Sequence, residues 1–389
     1  MMHADDPLGT SKLPDVGTTI FTVMSKLAAD HNAINLSQGY PDFPAPTALV
    51  DKLDEYTRRG ENQYPPMHGI PYLREQIALK TRRCYGETVD PETEITVTSG
   101  ATEALFVAIH AIVDRDDEVI VFDPAYDAYD PAIRLAGGIV RHLPLQGPDF
   151  AIDPDRLRAA VNQKTRAIIV NSPHNPTGAV ISREDLDLLA SVTDGTRILV
   201  ISDEVYEHMV FDGAGHQSLL THPQLRMRGF VVSSFGKTVH ATGWKVGYCI
   251  APPALTREFR KVHQFVTFTT HTPTQWALAD FLEHHPEHDQ QLSGFYQRKR
   301  DLLLSELADT GFSLSPSAGT YFQLLDYQGL SDQPDTAFVE YLTREIGVAA
   351  IPVSVFYREP PEQQLIRLCF AKHDDTLKEA AARLRRRFP

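Results

Sequence analysis

The sequence is poor in cysteine and has no long apolar run and no excess of basic charge. Cys84, Cys249 and Cys369 are its three cysteines in 389 residues, far apart and with no Cys-x-x-Cys pair. They outline neither a disulfide framework nor a zinc knuckle, and they point to a reducing, cytoplasmic compartment. No stretch approaches the ~20 apolar residues of a membrane span, so no membrane partner is expected. Met1–Lys12 lacks a basic start followed by an apolar run, so no secretory signal is expected there. Lys and Arg number 37 against 51 Asp and Glu, a formal charge of −14. An acidic surface argues against a protein that grips phosphate backbones broadly, and no nucleic-acid partner is expected. One local basic pocket for an anion remains compatible with it.

What is present is a globular composition, 42% hydrophobic and 23% charged, able to bury a sizeable core. Seven short β-branched runs stand out: Glu94–Thr98, Glu118–Phe122, Ile139–Leu143, Ala167–Asn171, Ile198–Ser202, Phe230–Ser234 and Gly247–Ala251. Helical patterns such as Ala101–Val113, Tyr126–Leu135 and Glu184–Ser191 lie between many of them. This alternation predicts an α/β fold with a mainly parallel sheet covered on both faces. The last run follows its predecessor with no helix between, so an antiparallel strand is expected there. The C-terminal part reads as an α+β lobe: helices over Gly294–Leu307, Thr336–Glu345 and Asp375–Arg387, strands over Thr320–Leu325 and Ile366–Ala371. With the seam near His284–Pro286, a large domain over 45–285 and a small domain from 1–44 plus 286–389 are expected.

Ligands of open α/β sheets bind beyond the carboxyl ends of the strands. Unusual polar residues fall at five such ends: Ser99-Gly100-Ala101-Thr102, Asp123-Pro-Ala-Tyr126, Asn171-Ser-Pro-His-Asn175-Pro-Thr-Gly178, Ser202-Asp203-Glu-Val-Tyr206 and Ser233-Ser234-Phe-Gly-Lys237-Thr238. Each alone reads as a turn or a cap; five in one sheet could converge on one pocket. Ser99–Thr102 opens a helix, where free backbone N–H groups and the helix dipole suit a phosphate. Two rival motifs fail. Gly236-Lys237-Thr238 ends like a P-loop, but Val231 stands where its first glycine belongs. Ser234-x-x-Lys237 lacks the Ser-Asp-Asn and Lys-Thr-Gly companions of the serine β-lactamases. His284, His285 and His288 surround a proline in a polar stretch and suggest a solvated loop; no metal is expected.

In this order, Asn175-Pro-Thr-Gly, Asp203-Glu-Val-Tyr206 and Ser234-Phe-Gly-Lys-Thr-x3-Thr-Gly-Trp-Lys245-x-Gly resemble the class I pyridoxal-phosphate aminotransferases of fold type I. The resemblance runs from about Asn35 to Lys372. Within the class, Leu36-Ser-Gln-Gly-Tyr-Pro-Asp-Phe43, Val97-Thr-Ser-Gly-Ala-Thr-Glu-Ala-Leu105 and Leu365-Ile-Arg-Leu-Cys-Phe-Ala-Lys372 are similar to a group that takes in the kynurenine, glutamine and bacterial methionine aminotransferases. It implies a seven-stranded large domain, pyridoxal 5'-phosphate as cofactor, and a homodimer with shared active sites.

The resemblance also implies roles. Lys237 looks like the lysine that bonds covalently to the cofactor, as an internal aldimine, and then moves the substrate α-proton. Asp203 matches the aspartate under the pyridine nitrogen, where a carboxylate favours the protonated ring. Tyr206 and Asn175 correspond to partners of the ring's phenolic oxygen, with Tyr206 one turn beyond Asp203 if a helix starts there. Tyr126 resembles the aromatic that stacks on the ring. Gly100, Ala101 and Thr102 would cradle the phosphate with backbone N–H groups, with Ser234 and Lys245 as side-chain ligands. Many relatives carry arginine in place of Lys245, so a bidentate partner is lost but the charge is kept. Tyr64 matches a tyrosine that reaches the phosphate of the neighbouring subunit. Arg367 looks like the fork for the substrate α-carboxylate, with a backbone contact from Gly39.

The expected activity is ping-pong transfer of an amino group from methionine or an aromatic or large apolar amino acid to a 2-oxo acid. No motif supplies a second arginine for a dicarboxylate. Phe21 resembles the aromatic wall over the donor side chain, and Tyr40 and the Phe265–His271 stretch are candidate neighbours. Two alternatives stand beside it: a cysteine-conjugate β-lyase on the same scaffold, and a cofactor-sensing transcription regulator, for which the acidic charge and the roughly 40 residues before the core leave little basis.

Overall fold

The computed structural model describes residues 11–389. Residues 1–10, part of the expected small-domain segment and of the stretch read as lacking a secretory signal, lie outside the described residues. A short strand β1 (Ile34–Asn35) precedes the central sheet, which is built from β2 (Ile95–Thr98), β3 (Glu118–Asp123), β4 (Ile139–Pro144), β5 (Thr165–Asn171), β6 (Leu199–Asp203), β7 (Gly229–Ser234) and β8 (Gly247–Ile250). Their order across the sheet is β2-β8-β7-β6-β5-β3-β4. β8 runs antiparallel to both β2 and β7, and the other pairs are parallel. All seven expected strands are present, within a residue or two at their ends.

The two faces of the sheet are read off alternate residues. Val119, Val121, Ile169, Ile201 and Val232 pack into one apolar cluster, whereas Ile120, Phe122, Ile168, Val200 and Val231 pack into another. Successive side chains of a strand point to opposite faces, and helices cover both, so every position of β3 is buried. Several helices begin where the sequence supplies a cap or a proline. Ser182 and Asp185 form a reciprocal capping box at the start of Arg183–Thr193. The helix expected over Tyr126–Leu135 instead spans Tyr129–Ala136. Pro131 is the reason: without an N–H it is tolerated in a first turn, but a start at Tyr126 would make it interior. Tyr126 is thereby left in the loop above the sheet.

A second antiparallel sheet, in the order β12-β13-β10-β9, consists of β9 (Ser313–Leu314), β10 (Phe322–Asp326), β12 (Ile351–Pro352) and β13 (Leu365–Cys369); β11 (Val348–Ala349) pairs with β1 instead. A third apolar cluster lies on it and joins Met24 and Leu36, Met209 and Phe211, and Leu292 onward to Phe388. The helix expected over Thr336–Glu345 is α-helical over Asp335–Tyr341, then widens into a π turn, Leu342–Ile346, that ends at Gly347.

Candidate active site

Neighbouring strand ends set the floor of the site. In register across the sheet, Asn171 of β5 stands beside Asp203 of β6, and Asp203 beside Val232 of β7. Ser234 ends β7, and the single turn Phe235–Thr238 that follows carries Lys237. Above these ends lies a cavity of about 230 Å³. Of the expected residues, Phe21, Gly39, Gly100, Ala101, Thr102, Tyr126, Asn175, Asp203, Tyr206, Ser234, Lys237, Lys245 and Arg367 line it.

Asp203 is buried, and its Oδ2 accepts from the Tyr129 hydroxyl at 2.7 Å. Burial pushes its carboxyl up to about 6, against the Tyr129 bond and the Val205 N–H, which hold it down. Lys237 is pulled the other way. Burial lowers its amine to about 8, helped by the charges of Lys245 and Arg367 and opposed by Cys369 and Asp203. Its Nζ donates to the Tyr321 hydroxyl at 2.8 Å and to the Gly39 carbonyl at 3.2 Å.

Arg367 sits mid-strand in β13, opposite Leu324 of β10 and Ile351 of β12. It is fully buried, not an edge residue with its head in solvent. Its guanidinium lies 3.9 Å over the Phe322 ring and 5.4 Å from that of Phe21. It donates to Asn175 Oδ1 at 2.6 Å and to the Ser37 carbonyl at 3.0 Å, while its buried Nε has no partner. Burial lowers it to about 10.

At the far side, the helix Ala101–Ile112 begins at Gly100 with no side-chain cap. Gly100 has φ +81°, and a Cβ there would lie 3.2 Å from Lys245 Cε and 3.3 Å from Nζ. The left-handed backbone and the lysine packed against it both select glycine. Lys245 itself has φ +54° and brings its ammonium to the uncapped helix start. A lysine and a helix N-terminus converge there, as they do around phosphates.

Three expectations are corrected. No helix follows Asp203: residues 204–209 form two successive turns, Glu207 N–H to Glu204 O and Met209 N–H to Tyr206 O, which still bring Tyr206 to the cavity. Tyr40 does not line the cavity of this chain; it is 44% exposed, with the Lys372 ammonium 4.7 Å from its ring. The Phe265–His271 stretch does not line it either. Phe265 is 84% exposed, and Phe268 meets Tyr64 edge to face at 5.6 Å. Tyr64 is 85% exposed and likewise outside this chain's cavity. The sequence reading missed Gln38, Leu105, Val205, Thr242 and Phe322 in the lining, and Tyr129 and Tyr321 behind it. Tyr129 had a signal, since it falls three residues after Tyr126.

Outside the cavity, Cys84, His208 and Asp289 place potential ligand atoms within 4.8 Å of one another. Arg83 already pairs with Asp289 at 2.9 Å, and burial, helped by the charge of Lys80, depresses His208. Two neighbouring cations oppose a metal dication there.

A mainly parallel sheet with a lysine and an aspartate at adjacent strand ends, closed by a buried arginine from a second sheet, defines a transferase site of the pyridoxal-phosphate class. Residues 31–384 match the family of class I and II aminotransferases, and the chain belongs to that family. It is 54% identical over 375 residues to the methionine aminotransferase of Escherichia coli, covering 96% of this chain and 97% of that one. A solved E. coli structure with methionine aminotransferase function superposes with a TM-score of 0.95 over 97% of this chain and 99% of that one, at 53% identity. The N-succinyldiaminopimelate aminotransferase of Mycobacterium tuberculosis follows at a TM-score of 0.93 and 40% identity, over 97% and 99% of the two chains.

The chain is therefore an aminotransferase that uses pyridoxal phosphate, with an amino acid and a 2-oxo acid as substrates. The residues present fit that cofactor. Asp203 is the one carboxylate in the lining, against Lys237, Lys245 and Arg367. A cavity with three cations in a chain of charge −14 is built for an anion.

Proposed function

We propose that this aminotransferase takes methionine, or an aromatic or large apolar amino acid, as donor and passes its amino group to a 2-oxo acid in a ping-pong sequence. The observation that carries the donor class is the make-up of the cavity. Its three cations each have a task at one end of the substrate or cofactor, and the lining residue beside Arg367 that is left for the side chain is the aromatic Phe21, 5.4 Å from the guanidinium. A distal carboxylate would be buried there unpaired, which costs several kcal/mol. A thioether fills an irregular apolar pocket and contacts aromatic edges favourably. The likeness to the E. coli methionine aminotransferase supports the same reading. The likenesses favour transamination over the β-lyase alternative: a relative further off, the human kynurenine–oxoglutarate transaminase 1 at 35% identity, is again a transaminase by name.

When bound, the cofactor supplies the electron sink that lets the α-proton of an amino acid leave. Lys237 would hold it covalently, and its freed Nζ then takes and returns the proton; an amine held near 8 suits that exchange at neutral pH. Asp203 would keep a proton on the pyridine nitrogen, with Tyr129 fixing the carboxylate. Tyr206 and Asn175 would hold the phenolic oxygen, and Tyr126 would lie against the ring. Backbone N–H groups of the helix start at Gly100, Ala101 and Thr102, with Ser234 and Lys245, would hold the phosphate. Arg367 and the Gly39 backbone would orient the substrate α-carboxylate.

The working unit is a homodimer in the cytoplasm, with Tyr64 of one subunit serving the phosphate of the other. Its exposed ring against the exposed Phe268 supports a covered surface. Three free cysteines and no helix apolar enough to cross a membrane among the described residues fit that compartment. We also read 45–285 as the large domain and 1–44 with 286–389 as the small one; the third cluster is drawn mostly from the latter and takes in Tyr206, Met209 and Phe211 of the former. A donor screen with several oxo acids tests the function: methionine, leucine and phenylalanine are expected to exceed aspartate at least tenfold in kcat/KM, about 1.4 kcal/mol. Aspartate as the best donor would overturn the donor class.

A further inference from the structure

The segment that delivers Tyr321 is held in an unusual backbone state. Thr320 is fully buried with φ +67°, a left-handed conformation that a β-branched residue rarely adopts. Its N–H donates to the Met209 carbonyl at 2.9 Å, and its hydroxyl accepts from the Phe322 N–H at 3.0 Å. The preceding Gly319 threads a gap where a Cβ would meet Pro173 Cβ at 2.7 Å and the Met209 carbonyl at 2.8 Å, and its N–H donates to Gly178 O at 2.8 Å. Strain at such a position persists where the surroundings over-determine it, and it clusters at functional sites.

What the strained turn achieves is the aim of one hydroxyl. Tyr321 is fully buried, with its ring edge to face against Tyr206 at 5.1 Å. Its hydroxyl donates its one proton to the Gly39 carbonyl, so the lone pairs face Lys237, whose Nζ donates to them at 2.8 Å. Tyr321 thus arrives from the second sheet and holds the lysine of the first against the backbone of Gly39.

We propose that Tyr321 is the positioning residue of Lys237, holding its amine on the Gly39 side of the cavity whenever that amine is free. The proposal rests on the reading of Lys237 as the cofactor lysine. A hydrogen bond to the charged form favours that form, so the phenol oxygen opposes part of the loss of charge that burial imposes on the amine.

The test is the pH dependence of Lys237 labelling by an amine-acylating reagent in the full chain stripped of cofactor, followed by peptide mass spectrometry. Tyr321→Phe keeps the ring and removes the oxygen. Its labelling midpoint is expected to fall by about one pH unit relative to the parent, at unchanged thermal stability. The same variant should show altered kinetics of cofactor uptake followed by absorbance. Thr320→Gly, which keeps the phenol but releases its backbone, should move the midpoint the same way by less; it serves alone if Tyr321→Phe fails to fold. An unchanged midpoint overturns the proposal. Cofactor found on a different lysine overturns the underlying reading instead, so the two failures are distinct.

Discussion

Arg367 Nη1 donates to Asn175 Oδ1 at 2.6 Å: a fully buried guanidinium meets a neutral amide where a carboxylate would ordinarily neutralise it. Asn175 brings no opposing charge, Asp127 acts on Arg367 by its charge without a bond to it, and the arginine's Nε has no partner. A buried cation with no carboxylate bonded to it is costly, and here the cost fits a site that waits for an anionic substrate group.

Arg367→Lys should therefore raise the KM for methionine at least tenfold, about 1.4 kcal/mol, because an ammonium cannot bind a carboxylate through two parallel bonds. Steady-state kinetics check this, and an unchanged KM would place the α-carboxylate elsewhere.

Tyr129→Phe removes the hydroxyl that holds Asp203 ionised. The carboxyl, already pushed up to about 6 by burial, should rise further. The acid limb of the kcat/KM profile is expected to move to higher pH, with donor KM little changed at the optimum. An unmoved limb would show that Asp203 does not control it.

That Lys237, Asp203 and the helix start at Gly100 would gather was legible in the sequence, because each follows a β-branched run and strand ends of a parallel sheet gather by construction; the roles proposed for them came from the resemblance. Arg367 was legible as an arginine inside an apolar strand. Tyr321 was not, because its task depends on a left-handed turn at Thr320 that no local pattern announces. The displaced start of the helix at Tyr129 was recoverable from Pro131. The exposure of Tyr40 was not, because the Lys372 ammonium that meets its carbonyl and ring comes from a segment more than 300 residues away.

Lys80 and Glu207 form an ion pair at 2.6 Å with both side chains 4% exposed. Glu207 also accepts from Ser233, Tyr85 and Tyr248, so it ties the turn bearing Tyr206 to the strand that ends at Ser234. Lys80→Met leaves that carboxylate unpaired and should cost ~3–5 kcal/mol in denaturant unfolding. Lys80→Met with Glu207→Leu should recover part of it; no recovery would mean that the charge is not the cause.

His142 lies between Asp123, at 2.8 Å, and Asp130, at 3.3 Å. Burial alone would lower its pKa, but hydrogen bonds to the two carboxylates, and their charges, raise it to about 9. A raised value in the folded chain means that the imidazolium stabilises fully below the unfolded value of about 6.5, and that this contribution is lost as pH rises through about 9. His142→Gln should lower Tm by several degrees at pH 6 and by little at pH 10. An equal loss at both would indicate packing rather than charge.

The covalent role of Lys237 is central, and borohydride reduction of the holoenzyme followed by peptide mass spectrometry tests it most directly. The account predicts a reduced pyridoxyl adduct on Lys237 and, in Lys237→Ala, loss of both the adduct and the visible absorbance; an adduct on any other lysine of the wild-type chain would contradict it.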